Sequence, residues 1–238
     1  MKNIVILLAA GKGSRMGTKT QKQFLQLNNK PLLYYSLKTF EQSVLIDEVV
    51  LVTTKEHINY VKNEIIDLYH FTKVKNIIPG GNERYLSVWN GLQTIKNQQG
   101  YVFIHDSARA FLTEATIQRA YDCVKEHRAC VVGVPSKDTV KISDAREYVE
   151  STPKRERVWI IQTPQVFSIE VAYQAYEKLI EKDVQDVTDD AMVVEQTLHV
   201  PVKLTMGSYE NIKITTPEDM EMAEVLVKKW EKVSKPVD

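Results

Sequence analysis

Short apolar runs alternate with longer stretches of helical period along the first 135 positions. "IVILL" (Ile4 to Leu8) has no polar position on either face, which predicts a strand covered on both sides. "EVVLVTT" near 48–54, "VKNIIPGG", "YVFIHD" and "ACVVGVP" repeat that pattern. Between them, Val61, Ile65 and Leu68 share one face of a helix over 55–69. Val88, Leu92 and Ile95 do the same over 83–97. Strands buried on both faces and separated by helices predict an α/β fold: a three-layer, mostly parallel twisted sheet with helices on both sides.

Residues 136–160 break the rhythm. "SKDTVKISDAREYVESTPKRERVW" is polar, strand-like in patches, and too poor in apolar residues for a core of its own. It predicts a protruding β-arm on an otherwise single domain spanning 1–238. Beyond it come "QTPQVF", a helix near 169–182 and a short helix after "VTDD". In "NIKITTPEDM", Ile212 and Ile214 face one way and Lys213 the other. Thr216 then reads as an N-cap, with Pro217 at the first helical position and Asp219 placed for a capping box.

Charge narrows the function. Lys plus Arg number 31 and Asp plus Glu number 31, so the net charge is zero. That excludes a general nucleic-acid coat, and any anion site must be a local concentration of cations. Cys123 and Cys130 have no metal-binding spacing and read as ordinary thiols in a reducing compartment. The apolar run at the start stops at Gly11-Lys12-Gly13, too short to span a bilayer, so the expectation is a cytoplasmic protein without membrane association.

The stretch "LAAGKGSRMG" sets a loop of small residues and cations directly behind the first strand. It is not a dinucleotide fingerprint, because Met16 stands where the third glycine belongs, and "EVVLVTT" lacks the ribose-binding acid. Nor is it a P-loop: five residues separate Gly11 from Gly17, and Thr18-Lys19 follows. Ala9, Ala10, Gly11 and Gly13 nevertheless present backbone N–H groups without bulky side chains, as close approach to a base and phosphates requires. Arg15 adds a fork of donors and Lys22 a point charge. "GGNERYLSVWNGL" puts Gly80 and Gly81 at a strand end, with Ser87 on the next helix, and "IHDSAR" puts Asp106 and Arg109 at another. In a parallel sheet these ends share one edge, where ligands bind. His105 reads as structural. Asp189 and Asp190 read as carboxylates favoured at a helix N-terminus.

With "KQFLQL", "HDSARAFL", "KDTVK", "QTPQVF", "TDDAMVVE" and "GSYENIKITTPEDM", these motifs stand in an order and spacing that resembles the cytidylyltransferases of isoprenoid precursor synthesis, over residues 3–225. Those enzymes join CTP to 2-C-methyl-D-erythritol 4-phosphate and release pyrophosphate. The resemblance implies a Rossmann-like nucleotidyltransferase fold. It implies cytidine contacts at Ala9, Ala10, Gly11, Gly81, Asn82 and Ser87, and transition-state stabilisation by Arg15 and Lys22. Asp106 falls at the acid near the sugar and the metal-bound phosphates. Arg155 and Lys213 match the residues that meet the acceptor phosphate, and Arg109, Thr139 and Thr163 match positions lining the acceptor pocket. The resemblance further implies a homodimer whose arms cross to the neighbouring subunit, with Mg2+ carried on the CTP rather than in a protein cage.

Three positions depart from the family pattern. Gln21 replaces the proline before the catalytic lysine, "HDSARAF" replaces HDAARPF at Ser107 and Ala110, and Lys154 rather than an acid precedes Arg155. The last leaves Arg155 and Arg157 as alternatives, with the spacing to Trp159 favouring Arg155. Ribitol-5-phosphate cytidylyltransferases are close relatives and an alternative acceptor class. The Ala9-Ala10-Gly11 and Asp189-Asp190-Ala191-Met192 runs look like the methylerythritol type. A nucleotide-binding regulatory protein without turnover is a reading of another class, and the presence of Arg15, Lys22 and Lys213 argues against it.

Overall fold

In the computed structural model, which describes residues 1–11, 20–182 and 187–233, seven strands hydrogen-bond into one sheet. They are β1 (Lys2–Ala9), β4 (Glu48–Thr53), β5 (Val74–Pro79), β6 (Gly100–Asp106), β7 (Ala129–Pro135), β10 (Trp159–Ser168) and β11 (Lys203–Met206). Their order is β11-β7-β10-β6-β1-β4-β5. All pairings are parallel except those of β10, which runs antiparallel to both β6 and β7. Two short hairpins stand apart: β2 (Gln26–Leu27) with β3 (Lys30–Pro31), and β8 (Ile142–Ser143) with β9 (Val149–Ser151).

The alternation along β1 shows why helices cover both faces. Val5 and Leu7 enter one core with α1 (Leu32–Gln42), α2 (Ile58–Val61) and α4 (Glu114–His127). Ile4 and Ile6 enter the other with α3 (Arg84–Ile95), α5 (Ile169–Glu181) and α6 (Asp190–Leu198). All four side chains are fully buried, as period-two geometry demands of a strand without a polar face. A third cluster packs α7 (Pro217–Val233) onto α1 and the β2–β3 hairpin through Leu27, Leu32, Tyr35, Ile214 and Ala223. The capping box expected at α7 is present in its reach-back half: Asp219 Oδ2 accepts from the Thr216 N–H at 2.9 Å and the Thr215 N–H at 2.7 Å.

One helical face departs from its prediction. Val61 and Ile65 are buried, but Leu68 is 57% exposed. After α2 the chain continues as a π-helix over Lys62–Asp67. Its wider turn delays the apolar face by a residue. Ile66 and Phe71 take the inward positions and Leu68 turns to solvent.

Between β7 and β10, residues 136–158 leave the sheet, and the β8–β9 hairpin lies within this excursion. Ile142, Tyr148 and Val149 on it are exposed.

Candidate active site

Because β1, β4, β5 and β6 are parallel, the turns that follow Ala9, Thr53, Pro79 and Asp106 lie along one edge of the sheet. A cavity of about 530 Å3 opens there. Ala10 and Gly11 line it behind β1, Thr54, Lys55 and Glu56 behind β4, and Gly80, Gly81 and Asn82 behind β5. Asp106, Ser107 and Ala108 line it behind β6. Arg84 and Ser87 reach it from α3, Lys22 from the segment after the first loop, and Lys213 from the segment before α7.

The paired glycines are required by packing. A Cβ on Gly81 would stand 2.3 Å from the Leu86 Cβ, and one on Gly80 would stand 2.5 Å from the Ala10 Cβ. The turn is thus pressed against both the first loop and the first turn of α3. Ser87 locks it: its hydroxyl accepts from the Gly81 N–H at 3.0 Å and donates to the Glu83 carbonyl at 3.3 Å.

Charge on the cavity wall is organised around Asp106. Its Oδ2 pairs with Lys213 Nζ at 2.7 Å, and its Oδ1 accepts from Arg84 Nε at 3.2 Å. Burial would push this carboxyl up. Arg84, then Lys213, outweigh that and hold it well below the usual carboxylate range, so it is ionised. The guanidinium of Arg84 also forks onto Asp190, with Nη1 to Oδ1 and Nη2 to Oδ2 both 2.8 Å. Burial works against its charge. The carboxylates of Asp190 and Asp106 more than compensate and raise its pKa well above the ordinary value.

Behind Asp106 lies a buried polar layer. His105 Nε2 donates to the Arg109 carbonyl at 3.1 Å, which leaves Nδ1 unprotonated to accept from the Thr163 hydroxyl at 3.0 Å. Thr163 Oγ1 in turn accepts from the Asp106 N–H at 3.1 Å. Burial lowers the His105 pKa to about 4, so the ring is neutral. Arg109 spends its guanidinium on the carbonyls of Asn211 (2.8 Å) and Ile161 (3.2 Å). Its Nε and Asn211 Oδ1 are buried without a hydrogen-bond partner among the described residues.

The structure therefore gathers Ala10, Gly11, Lys22, Gly81, Asn82, Ser87, Asp106 and Lys213 on one cavity. Ala9 lies in the core beside it, its carbonyl taken by Gln23 Nε2 at 2.6 Å. Arg109 and Thr163 belong to the layer behind Asp106. Thr139 and Arg155 are exposed on the arm, where Arg155 Nη1 makes a 3.4 Å bond to the Lys137 carbonyl. Gly13 and Arg15 lie outside the described residues.

Arg84 and Asp190 were not among the expected site residues. Asp189 behaves as a capping carboxylate, accepting from the Met192 N–H at 2.9 Å. Its neighbour Asp190 instead has a fully buried side chain and carries an ion pair. A cation beside a Gly-Gly turn was a visible signal for Arg84. No local signal marked its partner 106 positions away.

Fold and cavity together define an α/β nucleotidyltransferase. A family model described as 2-C-methyl-D-erythritol 4-phosphate cytidylyltransferase matches residues 3–229, and the chain belongs to that family. Among proteins bearing this name, one from Lachnospira eligens is 51% identical over 227 residues, covering 95% of this chain and 99% of that one. Another, from Clostridium botulinum strain Langeland, is 46% identical over 228 residues, covering 96% and 98%. A crystal structure of 4-diphosphocytidyl-2C-methyl-D-erythritol synthase from Anaerococcus prevotii superposes with a TM-score of 0.85 at 33% identity, covering 95% of this chain and 96% of that one.

Proposed function

We propose that this protein joins CTP to 2-C-methyl-D-erythritol 4-phosphate, giving the CDP-linked polyol and pyrophosphate for isoprenoid precursor synthesis. The observation that carries the reading is the cavity itself: glycine-lined backbone on one side, and Lys22, Arg84 and Lys213 on the others. Relatives named for methylerythritol phosphate at 51% and 46% identity favour that acceptor over ribitol 5-phosphate, and favour an enzyme over a regulatory protein without turnover.

The chemistry follows from the charges. An acceptor phosphate oxygen attacks the α-phosphorus of CTP in line, a P–O bond forms, and the bond to the pyrophosphate oxygen breaks. The nucleophile is already an anion and needs no general base. Negative charge grows on the non-bridging and leaving oxygens, so cations fixed in advance stabilise the transition state more than the ground state. Lys22, with Arg15 of the first loop, takes that role. The backbone of Ala10, Gly11, Gly81 and Asn82, with Ser87, seats the cytidine, Ala9 supports that turn from the core, and Gly13 is assigned from the sequence of the loop. Lys213 and Arg155 hold the acceptor phosphate, and Arg109, Thr139 and Thr163 shape the pocket around its polyol.

Among the described residues no three His, Cys, Asp or Glu side chains gather as a metal cage. Asp106 is an ionised carboxylate on the cavity wall with lone pairs beyond those its two cations use. Asp106 would help hold a Mg2+ ion that arrives with CTP, and such an ion would supply positive charge against the phosphates. The exposed apolar residues of the arm support a homodimer with arms exchanged, and Arg155 would then serve the neighbouring subunit's site. Among the described residues no helix is long and apolar enough to cross a membrane, and a cytoplasmic location is part of this proposal. Pyrophosphate release measured with CTP and each polyol phosphate tests the assignment. Turnover with ribitol 5-phosphate alone would move the acceptor, and no turnover with either would overturn the enzyme reading.

A further inference from the structure

Asp190 is the innermost member of a continuous chain of charged contacts. Its carboxylate, with no exposed side-chain surface, accepts from the Tyr176 hydroxyl and takes the two-pronged fork of Arg84. Tyr176 is itself only 1% exposed and packed in the core under α5. Arg84 then turns its remaining edge, Nε, to Asp106, whose other oxygen holds Lys213. Five side chains from α5, α6, α3, the end of β6 and the segment before α7 thus form one line from the core to the cavity wall.

The ends of this line differ in freedom. Tyr176 and Asp190 are fixed by packing, whereas the Lys213 side chain is 37% exposed and would be mobile on its own. A bidentate guanidinium–carboxylate pair fixes both distance and plane, so Asp190 holds Arg84 against rotation. With Arg84 neutralised by Asp190, Asp106 keeps one full oxygen for Lys213. With Asp190 replaced by a neutral amide, the guanidinium would have Asp106 as its one carboxylate partner among these contacts and would compete with Lys213 for it.

We propose that Asp190 and Arg84 are positioning residues: acting through Asp106, they set where the Lys213 ammonium stands to receive the acceptor phosphate. This rests on the cytidylyl-transfer reading and on Lys213 as an acceptor-phosphate ligand. In this role the pair acts on the acceptor through Lys213, so the effect should fall more heavily on the acceptor than on CTP.

The test is a double-mutant cycle on the full chain with CTP and 2-C-methyl-D-erythritol 4-phosphate. Asp190→Asn, nearly isosteric, should raise the acceptor KM by about tenfold while the CTP KM rises by a clearly smaller factor. In a Lys213→Ala background the same substitution should change the acceptor KM little, because the residue it acts through is gone. Tyr176→Phe, which removes a single hydrogen bond from Asp190, should shift the acceptor KM the same way by a smaller factor, and it carries the test if Asp190→Asn does not fold. An acceptor KM unchanged in the folded variants, an equal rise in CTP KM, or an Asp190 effect undiminished without Lys213 overturns the proposal. A wild-type protein that releases no pyrophosphate overturns the cytidylyl-transfer reading itself and this proposal with it; normal wild-type turnover with any of the preceding results overturns the positioning role alone.

Discussion

Lowering the pH should loosen this fold through His105. The ring is fully buried, and both nitrogens are committed in the neutral form: Nε2 donates to the Arg109 carbonyl and Nδ1 accepts from Thr163. A second proton would leave two N–H groups facing a carbonyl and a hydroxyl that already accepts from the Asp106 N–H. Burial accordingly lowers the pKa from 6.5 to about 4. Between those values the unfolded chain binds a proton that the folded chain refuses, so this contribution is complete above about pH 6.5 and is lost as pH falls toward 4. From pH 7 to pH 5 linkage puts the loss at about 2 kcal/mol, working from 1.36 kcal/mol per pKa unit. The assay is urea unfolding at fixed protein concentration at pH 7 and pH 5, on the wild type and on His105→Gln. The variant keeps a donor for the Arg109 carbonyl and loses the titration. It should be less stable at pH 7 but should lack about 2 kcal/mol of the wild-type decline between the two pH values. Equal declines in the two proteins would refute the buried neutral imidazole as the source.

Lys22→Ala should lower kcat by about 10²- to 10³-fold while CTP binding, followed by calorimetry, changes far less; a raised CTP KM with near-normal kcat would remove Lys22 from the transition state. Arg155→Ala and Lys213→Ala should raise the acceptor KM strongly and spare CTP, and equal damage to CTP binding would assign them to the other substrate. Gly81→Ala should weaken CTP binding and cost about 1–3 kcal/mol of stability, because its Cβ would overlap Leu86; wild-type affinity and melting temperature would show that the turn yields freely. Mixing Arg155→Ala chains with Lys22→Ala chains should restore activity toward about a quarter of wild type after statistical exchange, since crossed arms leave one intact site in each heterodimer. Verified exchange without recovery would count against a shared site and leave the transferase chemistry untouched.

What could be read along the chain was what neighbouring residues decide among themselves. "IVILL" has no polar face, so β1 had to be covered on both sides, and Ile4, Ile6, Val5 and Leu7 divide between the two cores accordingly. The alternation of Ile212, Lys213 and Ile214 turned the lysine away from the core and toward the cavity. Gly80 and Gly81 marked a strand end on the ligand-binding edge, and motif order indicated the family and with it the chemistry to look for. Leu68 marks where local pattern failed: a single π-helical turn shifted the phase, and nothing in the spacing of Val61 and Ile65 revealed it. Asp190 marks the larger limit. In sequence it was one of two adjacent carboxylates suited equally to a helix N-terminus, and Asp189 took that task. Only the packing of α3 against α5 and α6 brought Arg84 within 2.8 Å of Asp190 and, through its free edge, tied that pair to Asp106 and Lys213. Hydrophobic periodicity is a property of each segment, because burial needs only a face. Ion pairing needs two particular atoms at one distance, and that distance exists only after the segments have packed.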